Sequence, residues 1–175
     1  VDIPTLETER LWLRPMRAED AVVLHPMWIE PETMRYFPFK SVPDLARVQR
    51  IVDIQAQHWS EYGYGWWSIE PKDTGLFSGW CGLQYLKDTD EVEVAYMLSK
   101  PLWGRGLGTE GAAAATRFAF EKLDLNGIVG IVHVENAASQ RVLEKLGGPN
   151  RERISYFEID TYRYLIRKEE FEKRW

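Results

Sequence analysis

Three glycines alternate in the run Trp103-Gly-Arg-Gly-Leu-Gly-Thr-Glu110, at Gly104, Gly106 and Gly108. Glycine turns the chain sharply and lets main-chain N–H groups approach a ligand. A strand-like run precedes this loop and a helix-like run succeeds it. A helix starting there aims its unpaired N–H groups and the positive end of its dipole at whatever the loop encloses. The chemistry this favours is capture of an anion, above all a pyrophosphate, by Gly104, Arg105, Gly106, Gly108 and Thr109. Arg105 would add a charge-assisted contact. The P-loop lysine is missing after the loop, which argues against nucleoside triphosphate hydrolysis.

Few other residues have the type and placing for chemistry. Glu93 lies in the strand-like run ahead of the loop and shares a face with Glu91 and Ala95 by the period of two. Asn136 opens a helix, where it serves as an N-cap. Ser139 comes one turn later along the same face. His133 ends an apolar run and reads as a core histidine or a second base. Cys81, the one cysteine, lies in Trp80-Cys-Gly-Leu83 and reads as a buried core residue. His25 and His58 have no acidic partner at metal-ligand spacing, and no metal is expected.

The elements that must position these residues can be read in order. Glu9–Arg14 alternates as a strand and stops at Pro15. Ala18–Leu24 starts a helix with acids in its first turn, and Pro26, Pro31, Pro38 and Pro43 divide the next stretch into short pieces. Pro43–Tyr62 is a helix with an apolar stripe that includes Val48, Val52 and Trp59. Tyr64–Ile69, Phe77–Leu86 and Glu91–Ser99 form a meander of strands. Thr109–Leu123 is an alanine-rich helix able to pack closely. Ile128–Val134 is an apolar, central strand. Asn136–Leu146 is a helix ended by Gly147-Gly148-Pro149. The tail gives strands at about Arg151–Glu158 and Thr161–Arg167. The fold class is α/β with a mixed, mostly antiparallel sheet of about seven strands flanked by about four helices.

With 175 residues and no linker or repeat, residues 1–175 are expected to form one domain. The net charge of −5 disfavours nucleic acid and fits a cationic substrate better. No run is long and apolar enough for a membrane span. The single cysteine and the lack of a signal-like opening lead to the expectation of a cytoplasmic protein.

Taken together, the motifs resemble the GNAT acyltransferase superfamily, and within it the RimJ/RimL-like branch of ribosomal-protein N-terminal acetyltransferases. Thr8-Glu-Arg-Leu-Trp-Leu-Arg-Pro15 with Glu19-Asp20-Ala21 is similar to the first strand and helix of that branch. Glu93-Val-Ala-Tyr-Met-Leu98 with Trp103–Glu110 resembles its acetyl-CoA motif. Asn136-Ala-Ala-Ser139 with Arg141, Lys145 and Gly147 resembles its next helix, and Asp160–Tyr164 with Phe171 its closing strand. The chain departs from the wider superfamily at Trp103, where Gln or Arg is usual, and at Ala95, where the branch often has Gly.

The resemblance implies acetyl transfer from acetyl-CoA to a primary amine, a protein N-terminus or a small molecule, by direct attack in a ternary complex. It implies that the main chain of Tyr96, Met97 and Leu98 pairs with the pantetheine arm, with an N–H near Met97 polarising the acetyl carbonyl. It further implies that Asn136 bonds the pantetheine, that Ser139 protonates the leaving thiolate, and that Glu93 is the base. Bland readings stand beside these: three sheet residues, a helix cap, a surface serine and a solvated acid. The acceptor wall is placed at Trp28–Pro43 and the helix after it, lined by Tyr36, Phe37, Phe39 and Trp59. A monomer or homodimer is expected. Two other readings stay open. One is a non-catalytic acyl-CoA sensor. The other is a dinucleotide-dependent oxidoreductase, since Gly106-Leu-Gly-Thr-Glu-Gly111 fits G-x-G-x-x-G and Glu135 ends the next strand.

Overall fold

A computed structural model describes residues 2–38 and 41–175. Its strands are β1 (Leu6–Glu7), β2 (Leu11–Pro15), β3 (Trp66–Pro71), β4 (Gly79–Leu86), β5 (Glu91–Leu98), β6 (Gly127–His133), β7 (Arg151–Tyr156) and β8 (Ile159–Arg167). Its helices are α1 (Asp20–Ile29), α2 (Pro31–Met34), α3 (Leu45–Tyr62), α4 (Leu107–Glu121), α5 (Ala137–Lys145) and α6 (Lys168–Glu172), with a 3-10 turn at Lys100–Leu102. All eight strands form one sheet in the order β1-β2-β3-β4-β5-β6-β8-β7. The extra elements relative to the sequence reading are short. They are the two-residue β1 and the single-turn α2 and α6, none of which shows a period.

Every neighbouring pair is antiparallel except β5 and β6, which run parallel and register through one pair, Glu93 with Val129. Past that point β5 stays zipped to β4 as far as Leu98 with Gly79, and β6 to β8 as far as His133 with Thr161. The two central strands therefore part toward their C-terminal ends. This leaves an open edge on β5 in the middle of the sheet.

Apolar residues cover both faces of that sheet. Trp66 and Trp67, adjacent on β3, point to opposite sides as the pleat requires. Trp67 joins Leu11, Leu13, Ile69, Leu83 and the alanines of α4 in one cluster. Ala112, Ala115 and Ala119 are fully buried, so α4 lies close on the sheet. Trp66 joins Trp28, Val48, Val52, Trp80 and Met97 on the other face, beneath α1 and α3. α3 starts where Asp44 accepts from the Arg47 N–H at 2.7 Å and stops at the left-handed Gly63. Contrary to the sequence reading, α1 runs through Pro26. Its buried Leu24 and Trp28 hold the last turn against the core despite the missing proline N–H.

Among the described residues no helix is long and apolar enough to cross a membrane.

Candidate functional site

The parting of β5 and β6 opens onto two cavities that meet at Tyr36, Phe37, Tyr96, Asn136 and Ser139. The larger, of about 820 Å³, is bordered by Gly104, by Gly106–Thr109 at the start of α4, and by 136–139 at the start of α5. Two helix N-termini thus face one space, and Arg35, Arg141 and Lys145 border it too. Gly104 and Gly106 have φ of 73° and 78°, a left-handed backbone that strains any other residue. Gly106 caps α4 with no side chain, so the first-turn N–H groups of α4 face the cavity uncapped. The helix, expected from Thr109, starts two residues earlier, so Gly108 belongs to its first turn, because the chain enters helical geometry directly after Gly106.

The smaller cavity, of about 280 Å³, lies between aromatic walls: Trp28, Trp66, Trp80, Tyr36 and Phe37, with Phe157 at the β7–β8 turn. Glu93 is the one carboxylate among the described residues that line it. It is only 5% exposed, so the solvated-acid reading fails. Burial pushes its carboxyl up to about 7, against the pull of the Gln84 side-chain amide and the Ile131 main-chain N–H. A group so tuned can accept a proton near neutral pH. Its neighbour Glu91 is instead paired with Arg163 of β8.

At the junction, the Tyr96 and Ser139 hydroxyls are hydrogen-bonded at 3.0 Å. Burial pushes the Tyr96 phenol up to about 12, so it keeps its proton at neutral pH. Asn136 caps α5 by accepting from the Ser139 N–H at 3.2 Å through Oδ1. The surface-serine reading of Ser139 therefore fails, while the cap reading of Asn136 holds.

A family model of the acetyltransferase (GNAT) domain matches residues 10–148. The chain belongs to the GNAT acetyltransferase family. It is similar to an uncharacterized N-acetyltransferase, p20, of Bacillus licheniformis, with 29% identity over 95% of this chain and 98% of that one. It is also similar to the crystal structure of an acetyltransferase from Agrobacterium tumefaciens, with 30% identity, 94% and 95% coverage and a TM-score of 0.80. RimL, a ribosomal L7/L12 α-N-protein acetyltransferase solved with coenzyme A, shares the fold at 14% identity, 93% and 97% coverage and a TM-score of 0.78. The chain is thus an acyltransferase with a GNAT fold. The oxidoreductase alternative falls with this match, and with a sheet that has a single parallel pair.

The geometry bears on several further expectations, and Met97, like Tyr96 and Leu98, borders the larger cavity. The Ser99 N–H donates to Ser78 O at 2.9 Å, which places Met97 in a hydrogen-bonded pair with Trp80. Its N–H is spent on β4, and the open edge of β5 presents the main chain of Tyr96 and Leu98 instead. The Leu98 carbonyl is already held at 2.8 Å by the indole N–H of Trp103, the residue that departs from the superfamily pattern. The Arg105 side chain does not border the larger cavity; it pairs with Asp73 at 3.4 Å. Trp59 is not an acceptor wall. It is 2% exposed, packs edge-on against Trp67 and donates to the Trp66 carbonyl. Phe39 lies outside the described residues. Cys81 is fully buried, and burial raises its thiol far above the nucleophilic range. His133 borders the smaller cavity, but its Nδ1 is occupied by the Glu135 N–H.

Sequence reasoning missed the brace behind the glycine loop. Glu110 accepts from the Thr8 hydroxyl, the Arg10 N–H and Arg10 Nε at 2.6–2.7 Å. Arg10 Nη1 in turn donates to the Arg105 carbonyl at 2.8 Å. The loop is therefore tied to the β1–β2 turn. The Glu110 side chain carried no signal in the sequence, because its partners lie about a hundred residues away.

Proposed function

We propose that this chain is an N-acetyltransferase that moves the acetyl group of acetyl-CoA to a primary amine by direct attack. The observation that carries the reading is the meeting of the two cavities at the Tyr96–Ser139 pair. One side presents the uncapped N–H groups of α4 and three cations, Arg35, Arg141 and Lys145, against two acids, Glu32 and Glu135, a balance that favours an anionic cofactor. The other is aromatic and holds one tuned carboxylate, as a neutral amine nucleophile requires. The pyrophosphate would lie on the N–H groups of 106–109, and the pantetheine would pair with Tyr96 and Leu98 along the open edge. The Asn136 carboxamide NH2 would add a bond to it. Arg141 and Lys145 would meet phosphate charge.

The amine enters through the smaller cavity, and its ammonium proton passes to Glu93, directly or by one water. The amine nitrogen then attacks the thioester carbonyl. A C–N bond forms and the C–S bond breaks. The departing thiolate takes a proton from the Tyr96–Ser139 hydroxyl pair, the amine's second proton leaves through water and restores the pair's proton, and Glu93 releases its own to solvent. Holding both reactants in line supplies a large part of the barrier reduction.

Thermal shift with coenzyme A and thiol release over a panel of amines test the reading. A raised melting temperature and thiol release with an amine support it. Binding without release for every amine would favour the sensor reading instead. Tyr96→Phe is expected to lower kcat by about a hundredfold with little change in the dissociation constant of acetyl-CoA. Ser139→Ala should lower kcat by about tenfold, because Tyr96 keeps its own proton. Wild-type kcat in both variants would remove the pair from the mechanism. Arg10→Ala should weaken coenzyme A by about fivefold, measured by calorimetry, since it frees the Arg105 carbonyl and loosens the loop.

A further inference from the structure

The turn joining β7 and β8 consists of two residues, Phe157 and Glu158, and both have positive φ, 48° and 63°. That is the pattern of a type I′ hairpin, whose positions favour Asn and Gly. Phenylalanine in this region is a true outlier, and its backbone is strained. The ring gains little in return within the protein. It is 66% exposed, and among the described residues its one close ring contact is edge-on to Tyr156 at 4.5 Å. Yet it borders the smaller cavity, opposite walls made of Trp28, Trp66 and Trp80. Trp66 and Trp80 stack at 3.7 Å and 9°, and among the described residues neither indole N–H has a hydrogen-bond partner although both rings are buried. Phenylalanine or leucine in their place would avoid that cost. Backbone strain, an exposed ring and unpaired indoles thus converge on one small space. All three preserve aromatic surface there.

Building on the acyl-transfer reading above, we infer that the acceptor is a small primary amine on a flat apolar body, and that Phe157 selects it. The flat body would lie among the aromatic walls, covering Phe157 from water, with the amine toward Glu93. A polyamine or an aminoglycoside carries several ammonium groups and needs several carboxylates. Glu93 is the only carboxylate that lines this cavity among the described residues. An extended peptide brings main-chain polar groups that apolar walls leave unpaired. The volume of about 280 Å³ suits a small molecule.

The test measures thiol release at saturating acetyl-CoA with phenethylamine, tryptamine, spermidine, kanamycin and a serine-initiated peptide. The arylalkylamines are expected to show kcat/KM at least about tenfold above the other three. The Phe157→Asn variant places a turn-compatible residue at the strained position. It should raise KM for the arylalkylamines by about tenfold, leave the acetyl-CoA dissociation constant unchanged, and melt no lower than the wild type. Faster turnover of spermidine, kanamycin or the peptide overturns the acceptor class while upholding acyl transfer. An unchanged KM in Phe157→Asn overturns the role of Phe157. Thiol release with none of the amines overturns both the acceptor class and the reading it rests on.

Discussion

Glu93→Gln is expected to melt higher than the wild type at pH 8 and to turn over at least about a hundredfold more slowly. The two effects have one cause. Glu93 is buried on a strand covered on both faces, and burial disfavours its charged form. Its folded pKa of about 7 lies above the 4.5 of a free glutamate. The folded state therefore binds the proton more tightly than the unfolded state. Stability from this group is full below about pH 4.5, falls as pH rises toward 7, and stays lost above it. The gap between 4.5 and about 7 corresponds to on the order of 3 kcal/mol. Glutamine carries no charge at any pH, so the variant lacks this decline. Its advantage should be near zero at about pH 4 and greatest at about pH 8. Turnover moves the other way, because an amide cannot take the ammonium proton. In the wild type kcat/KM should rise with pH through about 7, and in the variant that inflection should vanish. Melting curves at pH 4, 6 and 8 and a pH profile of thiol release check both halves. A variant that keeps the inflection would exclude Glu93 as the base.

Much of this site could be read from the chain because its main-chain parts depend on local rules. Gly104 and Gly106 were legible as a sharp turn ahead of a helix since glycine suits their left-handed backbone. Asn136 was legible as a cap because the helix comes directly after it. The long helices and the meander showed their periods, and their bounds moved by only a few residues. What escaped depends on contacts distant in sequence. The Tyr96 hydroxyl meets Ser139 forty-three residues away, and alternation on a strand cannot say that a side chain reaches a helix start. Glu110 and Arg10 are a hundred residues apart. Trp59 looked like a pocket residue since it shares a helical stripe with Val48 and Val52, yet that stripe divides: Val48 and Val52 pack with Trp66, and Trp59 packs with Trp67, away from the cavity walls. The role of Met97 turned on hydrogen-bond parity in the β4–β5 ladder, which a single strand does not disclose. Phe157 was hidden for the opposite reason. Its turn breaks the local rule, and such breaks concentrate where function demands them.

The largest loss of stability is expected from Asp20→Ala. Arg14 on β2 holds Asp20 with two bonds, at 2.7 and 2.8 Å, and reaches Glu70 of β3 at 2.5 Å. The Ser68 hydroxyl and the Arg17 N–H complete the shell of Asp20, at 2.7 and 2.8 Å. Arg14 is 9% exposed and Asp20 4%. This network fastens the start of α1 to β2 and β3, beneath the wall that carries Trp28 and Trp66. Burial pushes the Asp20 carboxyl up, but the bonds from Arg14, Arg17 and Ser68 outweigh it and hold the group below the usual carboxylate range. Removing one partner leaves a guanidinium buried with only Glu70 to neutralise it, at a cost of about 3–5 kcal/mol. For a chain of this size that lowers the melting temperature by roughly 10 °C. The pH dependence has the opposite sign to that of Glu93. A depressed pKa contributes stability that is present above about pH 4 and lost as pH falls below it. The wild type should thus approach Asp20→Ala in stability at strongly acidic pH and exceed it at neutral pH. Arg14→Met combined with Asp20→Leu should recover part of the loss, since it removes both charges together. Urea denaturation of the three proteins at about pH 7 and about pH 3 measures this. Equal midpoints for wild type and Asp20→Ala at neutral pH would mean that solvent, not the fold, satisfies Arg14.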